Sequence, residues 1–291
     1  MKLITTIAIT LFNIVSGMNS YCQERQFKKS YFKIGDNYLS NAVYSGRKDS
    51  SRVSYCRPSV GYYNKSGLFV STEISVLSNS PAAGQVDEVA IETGYNFEHK
   101  KLEGGLYGSK YFFSNGSYAV ASELVGELGG YLTYDPGFLK LGTGTDLLFS
   151  SGTDITVNAN ISHSFEMSVV IDNLTIAPAL LVNAGTQTFY RDYYKNRKFS
   201  FAAGNGKSKG HHINNVINGG QVISFSSNNH FEILDYEMSL PIQFETQRLR
   251  IYATPQLALP VNPSNYMVDE TIQTETLSAS LYTEVGIYFK F

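Results

Sequence analysis

The chain ends on Leu281-Tyr282-Thr283-Glu284-Val285-Gly286-Ile287-Tyr288-Phe289-Lys290-Phe291, a stretch in which apolar and polar residues alternate. Successive side chains of a β-strand point to opposite faces. One face therefore carries Leu281, Thr283, Val285, Ile287, Phe289 and Phe291, and the other carries Tyr282, Glu284, Gly286, Tyr288 and Lys290. A tilted strand of about 9 to 11 residues is long enough to cross a bilayer. The stretch predicts a long strand with one apolar and one polar face.

The same alternation recurs along the chain after residue 35, in segments longer than the roughly five or six residues of an average strand. Soluble sheets alternate as well, so alternation alone does not separate a lipid-facing sheet from a soluble one, and chain closure and export must decide. The predicted strands are twelve: 36–45, 52–63, 68–78, 86–97, 102–113, 117–134, 138–149, 155–171, 174–189, 231–245, 248–260 and 276–291. An even number of long strands predicts an all-β protein, a single transmembrane antiparallel up-and-down β-barrel of about 12 strands.

The connections between these segments alternate between tight turns and longer loops. The tight turns are 64–67, 98–101, 135–137, 172–173 and 246–247, and the longer connections include 46–51, 79–85, 190–230 and 261–275. Outer-membrane barrels have short periplasmic turns and longer outer loops. The tight turns and both chain ends are therefore predicted on the periplasmic side, and 190–230 is predicted to be a long outer loop.

The first 22 residues have the pattern of a signal peptide. Lys2 gives a positive start, residues 3–15 are apolar, and Ser20 and Cys22 are small residues before Gln23. The predicted organisation is a signal peptide over 1–22, a short periplasmic lead over 23–35 and an outer-membrane barrel over 36–291. Cys22 leaves lipidation as the alternative, although the preceding Tyr21 is bulky for such a site. The apolar run is too short for a spanning helix.

The composition excludes several classes of function. Charged residues make up 16% of the chain and the formal net charge is −2, so no basic field for nucleic acid is expected. The mature chain would keep only Cys56, which excludes an internal disulfide. No cofactor is expected.

The polar faces of the predicted strands carry the residues that would line a lumen. The acidic candidates outnumber the basic ones: Glu73, Glu92, Glu103, Glu123, Glu127, Asp146, Glu166, Glu237 and Glu284 against Arg57, Lys140, Arg250 and Lys290. A water-filled acidic interior would favour cations. The alternative is a plugged barrel whose polar side chains satisfy one another.

Other motifs give weaker indications of a site. His163-Ser164 invites a hydrolase interpretation, but neighbouring strand residues point to opposite faces. His211, His212 and His230 lack the ligand spacing of a metal site. The glycines around Gly105 and Gly142 do not precede a helix, as a phosphate-binding loop would. The basic, aromatic stretch 193–198 could touch lipopolysaccharide or a sugar, or be a solvated loop.

Two features resemble known proteins. The terminal Phe291, with Val285, Ile287 and Phe289 at alternate positions before it, resembles the C-terminal signal that the barrel-assembly machinery reads. Segments 58–68, 177–187, 239–241 and 258–260 resemble a group of porin-like outer-membrane barrels of Gram-negative bacteria. The resemblance implies the fold, an outer-membrane location, and outer-membrane lipid, lipopolysaccharide and the assembly machinery as partners. Trp is absent, so an interfacial aromatic girdle would consist of Tyr and Phe.

Two functions remain after these exclusions. Passive transport of small solutes is the first, because a polar-lined barrel conducts without a catalytic group. A non-conducting structural or surface-interaction barrel, using the 190–230 loop, is the alternative.

Overall fold

The computed structural model describes residues 29–48, 52–79, 82–168, 173–193, 223–225, 230–268 and 271–291. The predicted signal peptide over 1–22 and most of the 190–230 loop lie outside the described residues. No described helix is long and apolar enough to span a membrane.

Strands dominate the described residues, in short and long pieces. They are β1 Tyr31–Leu39, β2 Val43–Tyr44, β3 Arg47–Lys48, β4 Tyr55–Tyr63, β5 Leu68–Leu77, β6 Val86–His99, β7 Leu102–Phe113, β8 Gly126–Tyr134, β9 Lys140–Phe149, β10 Thr153–Ser162, β11 Phe165–Ser168, β12 Asn173–Ile176, β13 Ala179–Gly185, β14 Ile223–Phe225, β15 Glu232–Ser239, β16 Ile242–Glu245, β17 Leu249–Pro260, β18 Asn265–Val268, β19 Thr271–Thr274 and β20 Ser280–Lys290. The helical pieces are a 3-10 helix, η1 Val120–Glu123, and a short helix, α1, over 188–193.

Fifteen of these strands form one antiparallel sheet that closes on itself. Sequence neighbours pair from β4 through β10, and β20 pairs with both β1 and β17, which joins the first strand to the last. Three of the barrel's strands are each split into two pieces: β10 with β11, β12 with β13, and β15 with β16. The sheet is therefore a closed barrel of twelve antiparallel strands, and the predicted fold class is confirmed.

Prolines account for two of the three breaks. Pro178 separates β12 from β13 and Pro241 separates β15 from β16, and proline has no N–H for a strand ladder. The carbonyl oxygens of both prolines still accept hydrogen bonds, from His163 N at 3.2 Å and from Ala177 N at 2.9 Å. The breaks thus interrupt single strands without opening the barrel.

The strand boundaries differ from the predicted ones in several places. β1 begins at Tyr31, so residues 31–35 of the predicted periplasmic lead belong to the barrel. It ends at Leu39, and the chain then folds into the β2–β3 hairpin instead of continuing to residue 45. The predicted strand over 117–134 begins only at Gly126, because residues 120–123 form η1. The predicted strand over 174–189 ends at Gly185, before α1.

The two faces of the barrel wall differ in character. Large apolar side chains are exposed on the outside at alternate positions around the barrel: Phe32, Ile34, Val60, Leu68, Val70, Ile91, Leu106, Leu128, Leu141, Leu180, Met238, Ile251, Leu281, Val285, Ile287 and Phe289. The intervening positions point inward and are mostly polar. An apolar outer surface around a polar interior is the pattern of a barrel in lipid.

The tight turns 64–67, 98–101, 135–137 and 246–247 lie at one end of the barrel, together with both ends of the described chain, and the predicted turn 172–173 lies partly outside the described residues. Phe291 N donates to Phe32 O at 3.0 Å, and Phe32 N donates to Phe291 O at 3.1 Å. Gly67 and Gly137 have φ of 98° and 110° in two of these turns, a conformation that glycine adopts without a Cβ penalty. By the rule for outer-membrane barrels this is the periplasmic end, and the opposite end is called the outer end.

Removing Phe291 is expected to block assembly. Its side chain is 72% exposed on the outer surface, where it completes the apolar row of β20, and its backbone closes the β1–β20 seam. Deletion should leave the protein in the periplasm or degraded, which fractionation and heat-modified electrophoretic mobility would measure. Phe291→Tyr serves as the control, because it keeps the ring. Normal amounts of folded, inserted protein after deletion would contradict the role of Phe291.

Candidate functional site: the barrel interior

Three connections at the outer end fold into the barrel and form a plug. The plug comprises residues 40–48, 119–124 and 188–193. Its apolar side chains pack with three inward residues of the wall in one buried cluster: Tyr44, Val120, Leu124, Phe189, Tyr190 and Tyr193 with Ala90, Tyr111 and Leu148. Phe189 is 1% exposed and lies edge-on to Tyr44, with ring centroids 4.8 Å apart. These side chains therefore fill part of the barrel interior at the outer end.

Arg47 ties the hairpin part of the plug to the neighbouring outer loop, between β17 and β20. Its guanidinium donates to Leu234 O at 3.0 Å and to Val261 O at 3.2 Å, and Nη2 lies 3.8 Å from Glu275 Oε2. The same group lies over the Tyr190 ring, 5.5 Å from its centroid. Arg47 therefore links β3, α1 and the β17–β20 connection.

Two buried aspartates anchor α1 and the segment that leads to η1. Asp154 accepts from the backbone N–H groups of Thr188 and Phe189, each at 2.9 Å, so it caps the start of α1 from a neighbouring strand. Asp87 accepts from the hydroxyls of Ser114 and Ser117, each at 2.8 Å, and from Tyr55. These contacts attach the plug to the barrel wall through specific hydrogen bonds.

A cavity of about 140 Å³ lies beneath the plug. Its polar lining has one basic side chain and several carboxylates: Arg57, Glu73, Glu88, Glu237 and Glu284 with Ser75, Asn183 and Gln256. Aromatic side chains from the wall and the plug complete it: Tyr44, Tyr55, Tyr111, Phe113 and Tyr282. The interior at this level is therefore polar, acidic and not filled by side chains.

Arg57 is the centre of a buried ion-pair network on one side of this cavity. Its Nη2 lies 2.8 Å from Glu284 Oε2, its Nη1 lies 3.3 Å from Glu73 Oε1, and its Nε donates to Asn37 at 2.6 Å. Tyr252 donates to the other oxygen of Glu284. One guanidinium thus holds two carboxylates that would otherwise repel each other.

The wall formed by β6 to β9 carries a second acidic group, the acidic wall, defined as Glu92, Glu127 and Asp146. Ser109 Oγ lies 3.4 Å from Glu92 Oε2 and 3.3 Å from Glu127 Oε1, and Tyr107 donates to Asp146 at 2.8 Å. Among the described residues, no basic side chain forms an ion pair with Glu92 or Glu127. Hydroxyl groups are therefore their hydrogen-bond partners.

Basic side chains gather nearer the periplasmic end. Glu245 accepts from Lys290 Nζ and from Arg250 Nη2, both at 2.8 Å. Lys33 Nζ lies 4.5 Å from the centroid of the Tyr288 ring. The periplasmic end of the interior therefore carries several basic side chains, two of which pair with Glu245.

The structure places the sequence-predicted residues as follows. Arg57, Glu127, Asp146, Glu237, Arg250, Glu284 and Lys290 are buried inside the barrel, and Glu73, Glu92, Glu103 and Lys140 are half-buried on inward positions. Lys140 pairs with Asp135 at 3.6 Å. Glu123 lies in η1 and not in a strand, because the plug replaces the first half of that predicted segment. Glu166 is exposed in β11.

The other candidate sites from the sequence are the His163-Ser164 pair, the glycine-rich stretches and the histidines of the long loop. His163 lies in the break between β10 and β11, with Nδ1 2.6 Å from Phe138 O, which explains a polar residue on the apolar face. The glycines around Gly105 and Gly142 lie in β7 and β9. The described ranges contain no group of His, Cys, Asp or Glu that could hold a metal, and His211 and His212 lie outside them.

The plug residues are the part of the interior that sequence reasoning missed. Tyr44, Arg47 and Phe189 were assigned to strand ends or loops, where large buried side chains are unusual. The signal for them was the apolar and aromatic content of 187–194 at the end of a predicted strand. That signal is ambiguous, because an apolar run does not distinguish a strand from a buried helix.

Comparison with solved structures finds outer-membrane porins at low similarity. The barrel resembles a KdgM porin, with 11% identity over 90% of this chain and 99% of that one and a TM-score of 0.44. It resembles a NanC porin with 14% identity over 89% of this chain and 100% of that one, at a TM-score of 0.47. Neither a protein-family model nor a curated protein matches the chain. Likenesses this distant carry no information about what a barrel transports.

The location follows from the barrel itself. A closed antiparallel barrel satisfies all of its backbone groups within the sheet, which is one of the two ways to cross a bilayer. The outward side chains are apolar around the whole circumference, and the connections alternate between tight and long as in bacterial outer-membrane barrels. The protein is an outer-membrane β-barrel.

Proposed function

We propose that the protein is a passive channel for small cationic solutes, and that the described conformation is its closed state. The observation that carries this proposal is the acidic wall, where Glu92 and Glu127 face the interior with hydroxyl partners and no ion-paired base among the described residues. Fixed carboxylates in a narrow aqueous passage concentrate cations and repel anions.

The contacts of the plug support a role as a gate, because they do not belong to the hydrogen-bond ladder of the barrel. The plug is attached through side chains such as Arg47 and Asp154 and belongs to no barrel strand. Loops can therefore leave the interior without breaking the β-ladder, since the sheet closes through β1, β20 and β17 alone. The non-conducting barrel is the competing function, and it predicts that loosening the plug opens nothing.

The test measures conductance in planar bilayers for the parent and for a variant with Phe189→Ser and Tyr193→Ser. Loosening the plug should increase conductance several-fold, and a salt gradient should give a reversal potential of the sign for cations. The preference should weaken from 0.1 M to 1 M salt, as the Debye length falls from about 10 Å to about 3 Å. The double variant Glu92→Gln and Glu127→Gln should show a weaker preference for cations.

The matched control is Glu98→Gln, which removes a carboxylate at the periplasmic end of β6 and should leave selectivity unchanged. Anion preference in the loosened variant would refute the electrostatic part of the proposal. Absence of conductance in both proteins, with normal barrel folding, would refute the channel.

A further inference from the structure

We propose that the cavity beneath the plug binds a short linear aliphatic diammonium ion, with one ammonium group at Glu88 and the other at Glu237. This inference deepens the proposed function and rests on it for the role of the ligand as a transported solute. The binding itself depends only on the cavity.

The two carboxylates approach the cavity from opposite walls. Glu88 lies on β6 and Glu237 on β15, and both line the cavity. Around the twelve-strand ring, five strands separate β6 from β15 in each direction: β5, β4, β1, β20 and β17 one way, and β7, β8, β9, the β10 strand and the β13 strand the other. The two groups therefore face each other across the barrel.

Neither carboxylate has a basic partner among the described residues. Arg57, the one basic side chain that lines the cavity, already forms ion pairs with Glu73 and Glu284. Glu88 accepts a hydrogen bond from Ser75 Oγ at 3.3 Å. Glu237 is 6% exposed, and its carboxyl group is hydrogen-bonded to the fully buried Asp235, two residues before it on the same inward face, and to Tyr282. An ionised carboxylate this buried is costly unless a cation accompanies it.

The separation of the charges selects the chemical class of the cation. A metal ion needs several ligands around one point, and the described residues provide no such group. Two carboxylates on opposite walls instead match a cation with two separated charges. A linear diammonium ion places one donor group at each end and keeps the charges apart.

The remaining lining suits the rest of such a ligand. Rings of Tyr44, Tyr55 and Tyr111 offer faces and hydroxyls to an ammonium group. Val120, Leu124 and Leu181 give an apolar surface for methylene groups. A cavity of about 150 Å³ accommodates a molecule of the size of benzene, so 140 Å³ fits a chain of about four methylene groups.

Isothermal calorimetry on the detergent-purified parent protein tests the proposal, with 1,4-diaminobutane as the probe. n-Butylamine and 1,4-butanediol are the matched ligands, with one charge and none. We expect saturable binding of the diamine, at least tenfold weaker binding of the monoamine and none of the diol. Glu88→Gln and Glu237→Gln should each weaken diamine binding about tenfold or more, because each replaces a carboxylate by a neutral amide and so turns a charge-assisted hydrogen bond into a weaker one.

Glu103→Gln is the control variant, because it removes an inward carboxylate that does not line the cavity. Heat-modified mobility would establish that all variants are folded. Equal affinity for diamine and monoamine, or full affinity in both Gln variants, would overturn the proposal, as would no binding to the parent. Calorimetry needs no conduction, so a protein that binds the diamine but never conducts would refute only the channel, and one that conducts without binding would refute only this site.

Discussion

Arg57→Met is expected to lower the free energy of unfolding by about 3 to 5 kcal/mol, the usual cost of removing one partner from a buried ion pair. Arg57 is 6% exposed and holds Glu73 and Glu284 at 3.3 and 2.8 Å. Without the guanidinium, two carboxylates face each other in an enclosed interior. Methionine keeps much of the side-chain volume, so the loss reports the charge and the hydrogen bonds.

Urea unfolding of the barrel in lipid vesicles, followed by tyrosine fluorescence, would measure this loss. Arg248→Met is the matched control, because Arg248 is exposed in a periplasmic turn and exposed charges contribute little to stability. Adding Glu73→Gln and Glu284→Gln to Arg57→Met should recover a large part of the loss. An Arg57→Met variant with the same free energy of unfolding as the parent would show that Arg57 does not stabilise the barrel through Glu73 and Glu284.

The barrel could be predicted from the sequence because lipid imposes a strict pattern on it. Each strand must cross the bilayer and expose alternate apolar side chains, so Leu281 to Phe291 and its counterparts carry a long and regular signal. The strand boundaries were less predictable where two patterns overlap. Residues 117–125 have strand-like composition, yet tertiary packing of Val120 and Leu124 into the plug places them in η1 and its flanks.

The candidate site was predictable only in part, for a related physical reason. Parity along a strand shows which side of the wall a residue occupies, and it assigns Arg57 and Glu284 to the same side. Parity does not show which residues of distant strands meet, because that depends on register and on barrel closure. The Arg57 network joins β4, β5 and β20, and no spacing in the sequence indicates this.

The plug could not be predicted from the alternation of apolar and polar residues. Arg47 contacts Leu234 and Val261, 187 and 214 residues later in the chain. A loop that folds back into a barrel obeys the packing of its particular side chains and no repeating pattern. The alternative of a plugged interior rested on polar side chains that satisfy one another, so it did not predict loops that fold into the barrel through apolar packing.

Arginine substitutions on the lipid-facing surface are expected to have the other large effect on the free energy of unfolding. Ile91→Arg, in the middle of β6, should lower the free energy of unfolding by about 2 to 4 kcal/mol, and Leu141→Arg, next to the periplasmic start of β9, should lower it by less. Leu141 and Ile91 are 48% and 42% exposed on the outside of the barrel, so an arginine there meets hydrocarbon. Unfolding in vesicles of defined chain length would measure the loss, and thinner bilayers should reduce it as the guanidinium reaches the interface.

The matched control for Ile91→Arg is Glu92→Arg, its neighbour on the inner face. Glu92 lies beside Ser109, close to Glu127, so the new cation would stand among carboxylates and the expected cost is much smaller. Gly142→Arg is unsuitable as the inner counterpart of Leu141→Arg, because a Cβ at Gly142 would lie 2.4 Å from the Asn160 side chain. Equal losses for Ile91→Arg and Glu92→Arg would contradict the outward position of Ile91, since only a residue facing lipid pays the cost of placing a charge in hydrocarbon.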